Sequence, residues 1–293
     1  MGFKLSSLLP MKKTPLTLAL LCEDQEVSWL LYDLRGAKPF GVGSGDWDSL
    51  LKQIDRERVQ EVRVLATGRQ VYYGLSEQAD QTDEDLQGVI PFEPGSFQLR
   101  TIDVPGLEQA DTSFKFFAVA GNSLISEIST KLSEAGLKLS SLEVPATVLA
   151  RRSNSVIGKG GCMLQVHIGR LYTQFLLSYR GNPYLAREVG MGYSDFLSQY
   201  TSHLQCTEQR SKQELETLSV LGGGPIEPAV VTVLEQAART TRGFRYPVEL
   251  VSITGPGNMR GLESRLAMQF GAKPAFAEET GCASSLLMEV VRA

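Results

Sequence analysis

The sequence predicts an α/β protein of two lobes, each built on a β-β-β-α unit, with a small α/β unit inserted between the two copies. Three observations carry this. The order strand, strand, strand, helix occurs twice, about half a chain apart; a block of different pattern separates the copies; and a length of 293 residues suits one bilobal unit.

In the first copy, Thr17–Leu21, Val27–Leu34 and Lys38–Val42 are β-rich runs parted by turn residues, including Arg35-Gly36. Asp46–Ile54 has helical period, with Trp47, Leu50, Leu51 and Ile54 on one face and Asp46 as its cap. Val62–Ala66 is the next strand. In the second copy, Cys162–Ile168, Tyr172–Tyr179 and Tyr184–Val189 repeat the strands and Tyr193–Tyr200 repeats the helix. Setting Arg35-Gly36 on Arg180-Gly181 places Ser28 on Thr173, Leu31 on Leu176 and Gly45 on Gly190. Few letters match, so the repeat rests on the order of elements.

Between the copies, Asp80–Asp85 reads as an acidic connector, Phe97–Val104 and Phe114–Ala120 as strands, and Asn122–Ala135 as a helix. That helix aligns Leu124, Ile125, Ile128 and Leu132, with Asn122 able to cap its start and Gly136 its end. Leu139–Val144 is a strand and Ala146–Arg152 a helix. Polar, glycine-rich Ser153–Gly161 is the expected hinge between the lobes. After the second copy come a polar helical region near Ser211–Leu221, a helix from Pro228, a buried-type strand Val248–Thr254, a helix Arg260–Phe270 closed by Gly271, and an apolar helix Ala283–Val291.

Composition bounds the function. With 42% hydrophobic and 21% charged residues the chain should bury a substantial interior. Its 29 basic and 33 acidic residues provide no global field for nucleic acid. Apolar runs such as Leu16–Leu21 and Ala283–Val291 fall far short of the roughly 18 residues that cross a bilayer. Cys22, Cys162, Cys206 and Cys282 lie far apart, with no Cys-x-x-Cys pair, and only His167 and His203 could join them at a metal. Reduced, mostly buried thiols are expected.

Four blocks in order, "VIPFEPGSFQL" at Val89–Leu99, "LSEAGLKLSSLEVPATVLAR" at Leu132–Arg151, "VHIGRLYTQFLLSYRGNPYLAREVGMGYSDF" at Val166–Phe196 and "VSITGPGNMRGLESRLAMQFG" at Val251–Gly271, resemble the PilM family of type IV pilus assembly proteins. The resemblance extends to MshI, the cytoplasmic part of GspL and the more distant FtsA, and it covers nearly the whole chain. It implies an actin/Hsp70-like bilobal fold of duplicated ribonuclease-H-like lobes with an FtsA-type inserted subdomain. The expected boundaries are a leader at 1–13, a first lobe at 14–79 and 143–156, the inserted subdomain at 80–142, a second lobe at 157–277, and a C-terminal helix at 278–293 packing back on the first lobe. It also implies a bacterial cytoplasmic protein, peripheral to the inner membrane through its partners. Those partners are the cytoplasmic tail of a PilN-like membrane protein and other pilus or secretion assembly proteins.

Actin-type ATPases hold MgATP between two equivalent hairpins that each begin Asp-x-Gly. The glycine admits phosphate to backbone N–H groups, the carboxylates position hydrated magnesium, and a nearby hydroxyl adds a contact. Here the first hairpin reads Cys22-Glu23-Asp24, lacking both the leading carboxylate and the glycine, and its displaced acids are expected to point away and repel phosphate. The second reads His167-Ile168-Gly169, keeping Gly169 and Thr173 but replacing the carboxylate. The turn Ile253-Thr254-Gly255-Pro256-Gly257-Asn258 resembles the family's glycine-rich turn at the nucleoside end. Its glycines serve either a ligand or simply a tight strand-to-helix turn, and Pro256 removes one donor.

Gly158–Gly161 and Gly222–Gly224 lack P-loop spacing, and Gly190-Met191-Gly192 lacks a third glycine, so all three read as loops. His167 has no acid or thiol at readable spacing, and Cys22 reads as a small packing residue.

The leading expectation is a non-catalytic scaffold with no cofactor and no metal. A second is an ATP-binding member, with ATP and magnesium held by Gly169, Thr173, Gly255 and Gly257. A third is an FtsA- or MreB-like membrane-tethered polymer, anchored by the lysine-flanked leucines of Gly2–Lys13.

Overall fold

The structure is a computed structural model that describes residues 14–33, 35, 38–76, 82–105, 107, 113–157, 161–275 and 284–292. The expected leader at 1–13 lies outside them.

The first lobe is organised around β1 (Leu16–Glu23), an apolar run buried along its whole length, as a central strand covered on both faces must be. β2 (Glu26–Asp33) returns antiparallel to it, and β3 (Lys38–Asp46) pairs antiparallel with β2. Helix α1 (Trp47–Gln53) starts on Asp46, whose side chain accepts from the Ser49 N–H at 2.8 Å. β4 (Val59–Ala66) then lies parallel to β1.

The chain next leaves the lobe. β5 (Val71–Ser76), the short α2 (Asp83–Gln87), β6 (Phe97–Pro105), β7 (Ser113–Gly121) and α3 (Asn122–Glu134) make a separate unit, with its three strands in the order β5-β7-β6. β8 (Leu139–Glu143) rejoins the first sheet parallel to β4, completing the order β3-β2-β1-β4-β8. The inserted unit therefore differs from the expected 80–142 at both ends: β5 belongs to it, and β8 does not. The expected acidic connector, Asp80–Asp85, runs into α2, which is closed at its start by a capping box between Thr82 and Asp85. The Asn122 side chain does not cap α3; it donates to the Gly95 carbonyl at 2.8 Å.

Helix α4 (Pro145–Ile157) takes up Ser153–Ile157, which the sequence assigned to a hinge. The second lobe repeats the first. β9 (Cys162–Ile168), β10 (Thr173–Tyr179) and β11 (Asn182–Val189) form the antiparallel meander. Helices α5 (Tyr193–Leu204), α6 (Glu208–Thr217) and α7 (Glu227–Thr241) follow. β12 (Leu250–Thr254) lies parallel to β9, then come α8 (Leu262–Phe270) and the two-residue β13 (Lys273–Pro274). The order β11-β10-β9-β12-β13 is that of the first sheet, with β9 in the place of β1. The last helix is α9 (Ser284–Arg292).

The two final helices are exchanged. α9 returns to β1, β2 and β4 of the first lobe, where Leu286, Leu287, Val290 and Val291 join the first core, and Arg63 of β4 donates to the Val290 carbonyl at 3.0 Å. α4, assigned by sequence to the first lobe, lies against β9, β10 and β11 of the second. The inserted unit also bridges. Tyr246 donates to the Leu107 carbonyl at 3.1 Å, Tyr184 donates to that of Pro105, and the Tyr179 and Tyr246 rings stack at 4.3 Å. Among the described residues no helix is long and apolar enough to cross a membrane.

Candidate functional site

The two β hairpins meet tip to tip between the lobes. At the first tip, Asp24 has φ +54°, the left-handed conformation that a glycine would adopt freely and that Asp tolerates. The turn is thus made without the glycine that the resemblance leads one to expect. Glu23 does not point away, as the sequence suggested. Its side chain, 2% exposed, crosses to the second lobe, where Oε2 accepts from the Arg170 N–H at 2.9 Å and Oε1 from the N–H groups of Leu171 and Tyr172 at 3.2 Å each. Burial holds this carboxyl above its ordinary range, although the three donors and the Arg170 charge oppose the shift.

The contact is reciprocated. Glu188 on β11 accepts through Oε1 from the Gly68 N–H of the first lobe at 2.7 Å, and the Tyr172 hydroxyl donates to Asp24 at 2.7 Å. Burial, reinforced by the charges of Glu23 and Asp24, raises Glu188 to about 8. The Arg170 guanidinium lies 3.2 Å from Glu26 and 3.4 Å from the Ser44 hydroxyl.

The structure brings together all four residues expected to touch a nucleotide, around the end of β9. Each is already engaged with protein. A Cβ on Gly169 would lie 2.2 Å from Glu23 Oε1, so that glycine admits the carboxylate. The Thr173 hydroxyl donates to the Met191 carbonyl at 2.6 Å. Gly255, with φ +93°, lies where a Cβ would meet the Ile168 carbonyl oxygen at 2.3 Å, and Gly257 where one would meet Ile168 Cγ2 at 2.2 Å. Gly257 also donates its N–H to the Ile168 carbonyl at 3.2 Å. The glycine turn is therefore shaped by close packing on β9.

Where the pattern expects carboxylates stand Cys22 and His167, both buried. Burial raises the Cys22 thiol to about 12, so it stays protonated. His167 is driven down to about 3 by burial and by the Arg152 charge; its Nδ1 is 3.0 Å from Thr254 Oγ1, and its Nε2 has no protein partner. Across the sheet, Glu188, Gln174, His167 and Thr254 are paired neighbours on one face, a buried polar row in which the Gln174 amide and Glu188 Oε2 also lack protein partners. Sequence reasoning singled out His167 but missed Gln174 and Glu188. The signal was the alternation of Gln165, His167, Gln174 and Ser178 with apolar residues inside two otherwise buried strands.

Beside the hairpin tips, a cavity of about 760 Å³ opens between the lobes, lined by Ser28, Ser44, Arg170, Lys212, Pro256 and Arg260 among others. A second, smaller groove of about 250 Å³ separates the inserted sheet from the first lobe. Its floor is Ala118 and Ala120 of β7 with Gln98 and Arg100 of β6, and its wall is Leu142 to Val144 and Thr147.

No protein-family model matches the chain, and no curated protein matches it. Solved structures do. A PilM–PilN type IV pilus biogenesis complex matches with a TM-score of 0.69 at 17% identity, covering 94% of both chains. The cytoplasmic domain of EpsL, an inner-membrane component of the type II secretion system of Vibrio cholerae, matches with a TM-score of 0.54 at 13% identity, again over 94% of both. MreB5 of Spiroplasma citri bound to ADP matches with a TM-score of 0.55 at 9% identity over 95% of both. With the repeated sheets, the exchanged helices and the cleft described above, these likenesses establish the fold of the chain as that of the actin-like ATPases.

Proposed function

We propose that this chain is a PilM-like cytoplasmic scaffold of a bacterial type IV pilus or type II secretion-like inner-membrane assembly platform. It binds the short tail of a PilN-like membrane protein and does not turn over ATP. The observation that carries the non-catalytic half is the Glu23 carboxylate, which takes the three N–H groups a phosphate would need. The remaining residues agree: the Thr173 hydroxyl is engaged, and Cys22 and His167 stand in place of the metal-positioning carboxylates. This residue set does not fit magnesium-bound triphosphate.

The groove between the inserted sheet and the first lobe is the docking surface in this reading. It lies beside β8 and β6, each the last strand of its sheet, so an extended segment can add to a strand edge and set small apolar side chains over Ala118 and Ala120. The likeness to a PilM–PilN complex supports a PilN-like partner as the occupant.

Calorimetry on the full chain separates the two halves of the proposal. A peptide from the tail of a PilN-like protein should bind, and Ala118→Trp, which fills the groove, should abolish binding while leaving the fold intact. Micromolar MgATP binding would overturn the non-catalytic half.

The roughly 760 Å³ cavity, with Arg170, Lys212 and Arg260 on its wall, favours a second reading in which a nucleotide or another anion enters beside the filled cradle. Thermal shift with ATP or ADP, with and without magnesium, tests it, because selective binding to the native state raises apparent stability.

A further inference from the structure

We infer that Glu23 is a tethered ligand: carried on the first lobe, its carboxylate fills an oxyanion site made by the N–H groups of Arg170, Leu171 and Tyr172 on the second, and this occupancy holds the lobes together. The inference deepens the non-catalytic reading and is independent of whether a membrane-protein tail docks in the groove.

Three successive backbone N–H groups converging on one point make a concave donor set suited to a small oxyanion. Both Glu23 oxygens accept, at 2.9 Å from Arg170 and at 3.2 Å from Leu171 and Tyr172, an arrangement that leaves neither oxygen a hydrogen to donate. Gly169 keeps the entrance clear, since any Cβ there would strike Oε1. With Glu23 at 2% exposure, solvent does not replace these donors, and either half of the contact would be left buried and unsatisfied without the other.

The same device runs in the opposite direction a few residues away. There Glu188 of the second lobe accepts from the Gly68 N–H of the first. Each lobe thus inserts one carboxyl group into the other's backbone, with the Tyr172–Asp24 hydrogen bond and the Arg170–Glu26 ion pair alongside. While Glu23 is in place the site is self-occupied. Emptied, it would accept small carboxylates and tetrahedral oxyanions, whose oxygens present the same acceptors.

The test empties the site. Glu23→Ala in the full chain should melt several degrees below the parent, and sodium acetate or inorganic phosphate should restore much of the loss. Sodium chloride at equal ionic strength should not, and the parent should gain from acetate or phosphate clearly less than the variant does. A folded Glu23→Ala variant that gains nothing specific from acetate or phosphate overturns the tethered ligand.

Should Glu23→Ala fail to fold, Glu23→Gln keeps the shape and removes the charge. Hydrogen exchange at the Arg170, Leu171 and Tyr172 amides should then speed up about tenfold, the loss expected for a charged hydrogen bond, with the Gly68 amide following. Unchanged protection at residues 170–172 overturns the site, and unchanged protection at Gly68 overturns its role in joining the lobes. Peptide binding in the groove, measured on the same variants, should be unaffected, so failure here and failure of the docking proposal are read separately.

Discussion

His167 Nδ1 lies 3.0 Å from Thr254 Oγ1, joining β9 to the strand that launches the glycine turn. The imidazole is buried and held neutral, with burial and the Arg152 charge lowering it to about 3. Its contribution to stability is present above the ordinary histidine range near 6.5 and is lost as pH falls from there towards 3, because only the unfolded chain gains the proton. Denaturant titrations across this window should show the loss, and His167→Asn, which does not titrate, should flatten it. An identical slope in the variant would rule the histidine out as its source.

Glu188 predicts the opposite limb. Its raised value of about 8 means that the folded state holds the proton more tightly than the unfolded chain. The stability it provides is fully present below the ordinary carboxylate value of 4.5 and is lost progressively as pH rises from there through about 8. The groups that set this are Glu23 and Asp24 across the cleft, with the Tyr73 and Tyr172 hydroxyls also within its electrostatic reach. Melting temperature measured between about pH 4.5 and 8 should carry a downward component in the parent that is absent from Glu188→Gln.

Gly255→Ala separates packing from ligand contact. The substitution puts a Cβ against the Ile168 carbonyl oxygen in a left-handed conformation, and should cost about 1–3 kcal/mol with no ligand present. Gly222→Ala is the control, since nothing lies within 4 Å of its added carbon. It should be neutral or stabilising by about 0.4–1 kcal/mol, through a less flexible unfolded chain. Urea unfolding of the two variants side by side decides it.

Thiol labelling should follow burial. Cys22 and Cys162 are buried, each with its thiol raised to about 12 by desolvation, whereas Cys206 is half-exposed beside the Ser211 hydroxyl. A maleimide should therefore modify Cys206 ahead of the other two in native protein. Comparable rates at Cys22 would mean that the cleft opens in solution.

The repeated meander was legible because alternating and continuous apolar runs, punctuated by Arg35-Gly36 and Arg180-Gly181, depend only on neighbouring residues. α3, α7 and α8 were legible for the same reason. β5 was not: its six residues include Gly74, which reads as a breaker but is needed where a Cβ would strike the Phe117 ring at 2.2 Å. The site was half legible. Missing carboxylates at Cys22 and His167 can be read from letters, but the use of Glu23 cannot, because its partner Arg170 lies 147 positions away. A charge that local reasoning assigns to repulsion is, in three dimensions, the acceptor for another lobe's backbone.

The exchange of α4 and α9 fixes an order of events during synthesis. The first lobe is translated first, yet the side chains that complete the cover of β1 and β2 are Leu286, Leu287, Val290 and Val291, made only after the whole second lobe. A nascent chain must therefore carry an incompletely covered apolar sheet until α9 has been made, so the first lobe cannot finish its core before the second has been synthesised. Neither half, expressed alone, inherits a finished core, and deleting α9 should send the whole protein to chaperones or proteases rather than cost it a single helix.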